Sequence, residues 1–357
     1  MRRREFIAGL GSATAWPVAA RAQQTAPKVR QIGVLTNLEA DDPESLSRIG
    51  AFLQRLQELG WTDGRNVRIE YRWSAGDPGR NAKFATELVG LAPDAIVATG
   101  VPSLDPLMRA TRNVPIVFVQ VTDPVGAGVV ESLARPGGNV TGFTNAEYGM
   151  SGKWLELLKV IAPGVRRVAV LRDTTAAGIG MFAAIQTVAP SLGVVLRPLG
   201  IANLSEIERL VAAFAREPNG ALIVTAGGLS IIHRDPIIAL AARHRLPAIY
   251  GLRPFITAGG LLSYGANTIE PYRGAAGYVD RILKGEKPAD LPVQTATKYK
   301  LVIILGPRTH SVSTCRRRCP RALTTFFTAV QNVCFWHKAD IRRAASVCYS
   351  FPLEWFA

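Results

Sequence analysis

Cysteine is missing from the first 314 residues of this 357-residue chain; Cys315, Cys319, Cys334 and Cys348 all fall in the last 43. The body of the protein therefore has no disulfide framework, no thiolate metal site and no thiol nucleophile. Histidine is nearly as scarce, with only His233, His244, His310 and His337. His233 and His244 fall on one predicted helix, about three turns apart, too far to share a metal. G-x-S-x-G, H-E-x-x-H and P-loop patterns are absent, which removes common signatures of hydrolase, metalloprotease and nucleotide chemistry. Long apolar runs are absent too. The stretch Phe6–Val18 covers 13 residues, short of the roughly 18–20 that a membrane-spanning helix needs.

Charge is present in excess but unevenly. The formal net charge is +15, of which the first 22 residues hold +3 and the last 52 hold +6. The 283 residues between carry only +6 and no like-charged run. A nucleic-acid-binding reading loses its support, because a basic face in the body would be needed. The length allows two domains, since single cores stop growing at about 250–300 residues.

The N-terminus reads as an export signal over residues 1–22. Arg2-Arg3-Arg4 is followed by the apolar stretch, and Ala20-Arg21-Ala22 forms an A-x-A cleavage site. Arg3-Arg4-Glu5-Phe6-Ile7 resembles a twin-arginine signal. No cysteine follows the cleavage site, so lipid attachment there is not expected. From Val29 the pattern alternates strand and helix. Gln31–Leu35, Val67–Trp73, Ala95–Ala98 and Pro115–Val119 read as strands; Glu44–Leu59, Asn81–Leu91 and a segment capped by Ser103 read as helices. The alternation restarts with a helix at Gly152–Ile161 and strands at Val168–Leu171, Val194–Pro198, Ala221–Val224, Ala248–Tyr250 and Leu261–Tyr264. Two successive βα sets predict an α/β protein of two Rossmann-like lobes, each with a parallel sheet. The expected lobes are 28–143 plus 266–285, and 144–265 plus 286–305. The chain crosses between them more than once, which makes a hinge.

The segment Val114–Thr144 shows the site logic. The apolar strand ends at Thr122-Asp123-Pro124, where proline cannot donate to a ladder. Gly126 and Gly128 lead into a predicted short helix, Val129–Ala134, closed by Pro136-Gly137-Gly138. Open α/β sheets bind ligands just past the carboxyl ends of their strands. Six such ends carry small polar or acidic groups: Thr36-Asn37, Thr99-Gly100, Thr122-Asp123, Asp173-Thr174, Thr225 and Tyr250. Asn145 follows at the first crossing, and Tyr264 ends the last strand before the second.

These residues also carry a resemblance. Val114–Thr144, Ala98-Thr99-Gly100-Val101-Pro102-Ser103, His244–Tyr250, Gly259–Gly265 and Ala276–Gly285 occur in order. Over Lys28–Leu305 the chain resembles the ABC-transporter substrate-binding proteins that capture amino acids. The resemblance implies a type I periplasmic-binding-protein fold and a ligand enclosed between the lobes and handed to an ABC permease. It also implies a periplasmic monomer with no catalytic step, no metal and no cofactor. An amino acid needs donors for its carboxylate and an acceptor for its ammonium. Asp123 is the expected ammonium partner, with Thr99, Ser103 and Thr122 for the carboxylate and Tyr250 and Tyr264 closing over an apolar side chain. A sensor module presenting ligand to a receptor, or a periplasmic α/β enzyme, are the alternatives. A two-lobed transcriptional regulator is disfavoured, because the N-terminus is a signal and not a helix-turn-helix.

Beyond Leu305 the resemblance stops. Residues 306–357 hold Arg316-Arg317-Arg318, the cysteines and no consistent period. Cys315, Cys319, Cys334 and His337 have tolerable zinc spacing but no surrounding fold. This tail is expected to arise from a frameshift or read-through and to pack poorly.

Overall fold

The computed structural model describes residues 29–145, 148–201, 203–297, 299–304 and 333–336. The export signal and the zinc reading of Cys315, Cys319 and His337 lie outside those residues. So does the expectation of a poorly packed tail, apart from the short segment Val333–Trp336.

The first unit runs β1 (Arg30–Thr36), α1 (Pro43–Glu58), β2 (Val67–Trp73), α2 (Pro78–Gly90), β3 (Ala95–Thr99), α3 (Gly100–Ala110), β4 (Ile116–Val121) and β5 (Val140–Thr144). All five strands are parallel in the order β2-β1-β3-β4-β5. The helices start where local chemistry provides a cap. Asp42 and Asp77 accept backbone N–H bonds at the starts of α1 and α2, each with proline at the first helical position.

The second unit runs α4 (Gly149–Ile161), β6 (Arg167–Asp173), α5 (Ala176–Val188), β7 (Val195–Ile201), α6 (Leu204–Phe214), β8 (Gly220–Val224), α7 (Gly228–Ile232), α8 (Arg234–Arg243), β9 (Ala248–Tyr250), α9 (Pro254–Thr257) and β10 (Leu262–Ala266). Its five parallel strands lie in the order β7-β6-β8-β9-β10, which repeats the order of the first unit. The chain then returns to the first unit for α10 (Glu270–Leu283) and crosses again to add β11 (Tyr299–Ile304). β11 is antiparallel to β10, and β12 (Val333–Trp336) is antiparallel to β11, so the second sheet is mixed and not wholly parallel as expected.

The core forms on each side of the sheets. Ile32, Val34, Phe52 and Leu56 pack with Tyr272, Val279 and Ile282 of α10, while Leu35, Leu88, Ile96 and Phe118 fill the other face. The second unit has one cluster around Val168, Val170, Leu222, Ile223 and Trp154. The expected boundary at residue 286 falls too early. Leu291 and Val293 pack in the clusters of the first unit, the Thr141 hydroxyl donates to Leu291 O (2.6 Å), and Gln294 N donates to Gly142 O (2.9 Å). The chain thus crosses three times: after Thr144, after Ala266 and after Gln294. Sequence reasoning put the connector in the second unit because it leads to that unit's edge strand. Burial of Leu291 on the first sheet decided otherwise.

Other local differences have simple causes. Residues 129–134 form bends and irregular chain and no helix, with Gly128 and Gly137 in left-handed conformations on either side. α3 begins at Gly100, so Thr99 holds the N-cap position and Ser103 lies inside the helix, donating to Asn81 Oδ1 (3.3 Å). His233 and His244 bracket α8 at its two ends and do not share its face.

Candidate ligand cleft

Both sheets have the strand order 2-1-3-4-5, and such a sheet has one topological switch point, beside its first strand, where neighbouring helices leave on opposite faces. In the first unit that point lies between β1 and β3, at Asn37 and Thr99-Gly100. In the second it lies between β6 and β8, at Asp173-Thr174 and Ala226-Gly227-Gly228. The two points face each other across one cleft. The first unit lines it with Asn37, Thr99, Gly100, Val101, Pro102, Gln120 and Thr122, and Asn145 adds to it from the first crossing. The second unit contributes Asp173, Thr174, Thr175, Ala177, Ala226, Gly227, Gly228, Leu229, Ile231 and Leu252. The space is about 800 Å³ when its open mouth is included.

Each polar group on the first wall is held by a specific partner. Thr99 Oγ1 shares a 2.8 Å hydrogen bond with the buried Tyr272 hydroxyl of α10. Burial pushes that hydroxyl's pKa up, so it stays protonated at neutral pH. With its side chain so engaged, Thr99 leaves the first turn of α3 without a side-chain cap, and its N–H groups remain as anion-binding donors. Thr122 Oγ1 donates to Asn145 Oδ1 (2.7 Å). Gln120 has φ +59°, unusual for a residue with a side chain, and its Nε2 donates to Thr268 O on the second crossing (3.3 Å). Asn37 is buried, and its Oδ1 has no hydrogen-bond partner among the described residues.

The second wall brings the one charged side chain among the described lining residues, Asp173. Its Oδ1 accepts from the N–H (3.3 Å) and hydroxyl of Thr175, which in turn caps α5 by accepting from Gly178 N–H. Its Oδ2 lies beside Gly227, where a Cβ would meet it at 2.6 Å. Thr174 and Thr175 flank Asp173, and Ala226, Leu229, Ile231 and Leu252 give this wall its apolar surface.

Of the residues expected from sequence, Asn37, Thr99, Gly100, Thr122, Asn145, Asp173 and Thr174 come together on the cleft. The others lie elsewhere. Thr36 is buried behind Asn37, its carbonyl accepting from Ser74. Ser103 is buried against Asn81. Thr225 donates its hydroxyl to Leu171 O (3.2 Å) within the sheet. Tyr250 stacks on Phe255 in the second core, ring centroids 4.6 Å apart, and Tyr264 is 1% exposed in the same cluster. Asp123, with φ +45°, accepts from Gly126 N–H (2.9 Å) and from the Tyr148 hydroxyl. Burial, then the Asp123 carboxylate, pushes the Tyr148 pKa up to about 12. Sequence reasoning missed Gln120, because nothing local announces its left-handed backbone. It also missed Leu229, Ile231 and Leu252, although Gly227-Gly228 after a strand was a usable signal.

Two facing switch points around one open cleft are the architecture of a hinged binding protein. Residues 24–309 match the family described as ABC transporter substrate binding protein. The chain belongs to that family. As an ABC transporter substrate-binding protein it is a solute-binding component and not an enzyme. It is 26% identical over 278 residues to a tyrosine-binding protein of Clostridioides difficile (strain R20291), covering 77% of this chain and 79% of that one. Among solved structures it resembles a conserved domain protein from Vibrio cholerae (27% identity, TM-score 0.72, 77% and 92% of the two chains). It also resembles an ABC domain in complex with L-Trp from Streptococcus pneumonia (24% identity, TM-score 0.69, 76% and 90%), a likeness of fold.

Proposed function

We propose that this substrate-binding protein captures a free amino acid between its two units, in the periplasm, and delivers it to the permease of an ABC importer. The observation that carries the reading is the division of the cleft into a neutral donor wall and an apolar wall holding one carboxylate. The N–H groups at the first turn of α3, with Thr99, suit a ligand carboxylate. Asp173 suits the ammonium, a role that moves here from Asp123, whose carboxylate is taken by Gly126 and Tyr148. Leu229, Ile231 and Leu252 suit an apolar side chain. The tyrosine-binding relative supports the ligand class, and the twin-arginine-like N-terminus supports export.

A thermal-shift screen of the purified protein against the free amino acids tests this. Ligand at 100 times Kd stabilises by about 2.7 kcal/mol, so one or a few amino acids should raise Tm by several degrees. If no amino acid shifts the transition, the ligand class is wrong. A shift that survives Asp173→Asn undiminished rejects Asp173 as the ammonium partner.

A further inference from the structure

The geometry points to Asp42 and Arg234 as a clasp that sets ligand affinity by holding the two units together, with neither residue touching the ligand. Asp42 belongs to the first unit and Arg234 to the second; neither lines the cleft. Asp42 divides its carboxylate between two tasks. Oδ1 caps α1, accepting from Glu44 N–H (2.8 Å) and Ser45 N–H (3.4 Å). Oδ2 accepts from Arg234 Nη1 across the junction (2.7 Å). The side chains are 13% and 15% exposed, so the pair escapes most of the solvent screening that makes surface ion pairs weak.

Arg234 is tied to the cleft as well. The same Nη1 donates to Ile231 O (3.2 Å), and Ile231 lines the cleft. One guanidinium nitrogen thus joins the start of α1 to the opposite wall of the site. Glu44, two residues beyond Asp42, reaches the hinge: its Oε1 accepts from the Thr268 hydroxyl on the second crossing (2.6 Å) and from Arg48 Nε (2.8 Å). The carbonyl of Thr268 is the one that holds Gln120 on the cleft. The first turn of α1 is therefore bonded to the other unit and to a crossing strand together. Apolar contact accompanies the pair. Leu38 of the first unit is 2% exposed within the second unit's cluster, and Gly76 lies where a Cβ would meet the Ile232 side chain.

Separating the units would break this 2.7 Å charge-assisted hydrogen bond across the junction, so the clasp as proposed favours the closed arrangement. Apparent affinity scales with the fraction of molecules in the binding-competent state. Removing the clasp should therefore weaken capture of any ligand by about tenfold without altering a ligand contact.

The test needs no ligand, so its outcome stands apart from that of the amino-acid screen. Small-angle X-ray scattering and hydrogen exchange are measured on the full chain and on Asp42→Asn, Arg234→Met and Arg234→Lys, each at low and high salt. Asn remains a good helix cap, so Asp42→Asn removes the charge and keeps α1. The wild type should stay compact at both salts, because a largely buried pair is screened little by salt. Asp42→Asn and Arg234→Met should be expanded at both salts, with exchange over residues 227–232 several-fold faster. Arg234→Lys should recover the compact form at both salts. Should one neutral variant unfold, the other and the Lys variant decide. Neutral variants that scatter and exchange as the wild type does at low salt would overturn the clasp.

Discussion

In the first unit the cleft is made of side chains tied back into the protein: Thr99 to Tyr272, Thr122 to Asn145, Gln120 to Thr268. In the second it is made largely of backbone and apolar surface held by close packing. Gly265 lies so near Gly251 that a Cβ would stand 2.1 Å from the Gly251 carbonyl, and the Trp154 ring presses on Gly251 from another side. Trp154 Nε1 fastens this layer by donating to Tyr264 O (2.6 Å). The two units share a strand order but not a means of presentation. A hydrogen-bonded wall fixes donor directions for a polar ligand group. A packed wall fixes shape and isolates one carboxylate, which strengthens its pull on a cation.

The comparison can be broken most easily on the packed side. Gly265→Ala forces a methyl group into the Gly251 carbonyl and should cost about 3 kcal/mol by backbone displacement. Urea unfolding would show the midpoint falling, and an unchanged midpoint would mean that close packing does not hold the second wall. Asp173→Asn comes next. It should weaken the amino acid found in the screen about a hundredfold, near 2.7 kcal/mol, because a charge partner is lost in a partly dry site. Calorimetric titration measures it, with unfolding stability as the control that should barely move.

On the hydrogen-bonded side the effects are smaller. Tyr272→Phe removes one buried hydroxyl and leaves Thr99 Oγ1 without that partner, for a loss of about 1 kcal/mol in stability. Affinity should fall with it, since Thr99 then rotates freely. A Phe variant that is less stable but binds equally well would detach Thr99 from recognition. The smallest effect concerns pH. Burial lowers the His233 pKa below 6.5, its ordinary value. The folded state thus prefers neutral imidazole while the unfolded chain takes up the proton more readily. Stability is full above about pH 6.5 and declines as pH falls below it toward the folded pKa. His233 is only partly buried, so the loss should stay under about 1 kcal/mol. His233→Gln should flatten that slope in denaturation curves taken at several pH values.

The doubling of the βα pattern was readable because it is local: β-branched runs such as Val114–Val119, amphipathic segments such as Glu44–Leu59, and capping residues before them. Crossings at 145 and 267 were readable from the end of each alternation. The third crossing was not, since the connector carries no mark of which sheet will bury Leu291. Within the site, Thr99, Thr122 and Asp173 were legible as polar residues after buried strands. Tyr250 and Tyr264 were misleading for the same reason: they stand at strand ends, but their rings turn into the second core.

What the sequence determined by itself is the alternation, its repetition and the strand ends at which polar groups accumulate. All three follow from steric preference, hydrophobic period and capping, which act over a few residues. The tertiary structure alone decided which of those groups share the cleft. Asp123 and Asp173 look equivalent in the chain, each an acid following a strand. The first is consumed by its own turn and by Tyr148; the second stands opposite the start of α3. Gln120 reaches the site only through a left-handed backbone held by Thr268, 148 residues away. Asp42 and Arg234 meet across 192 residues. Such pairings depend on how separately folded layers dock, and no local pattern records that.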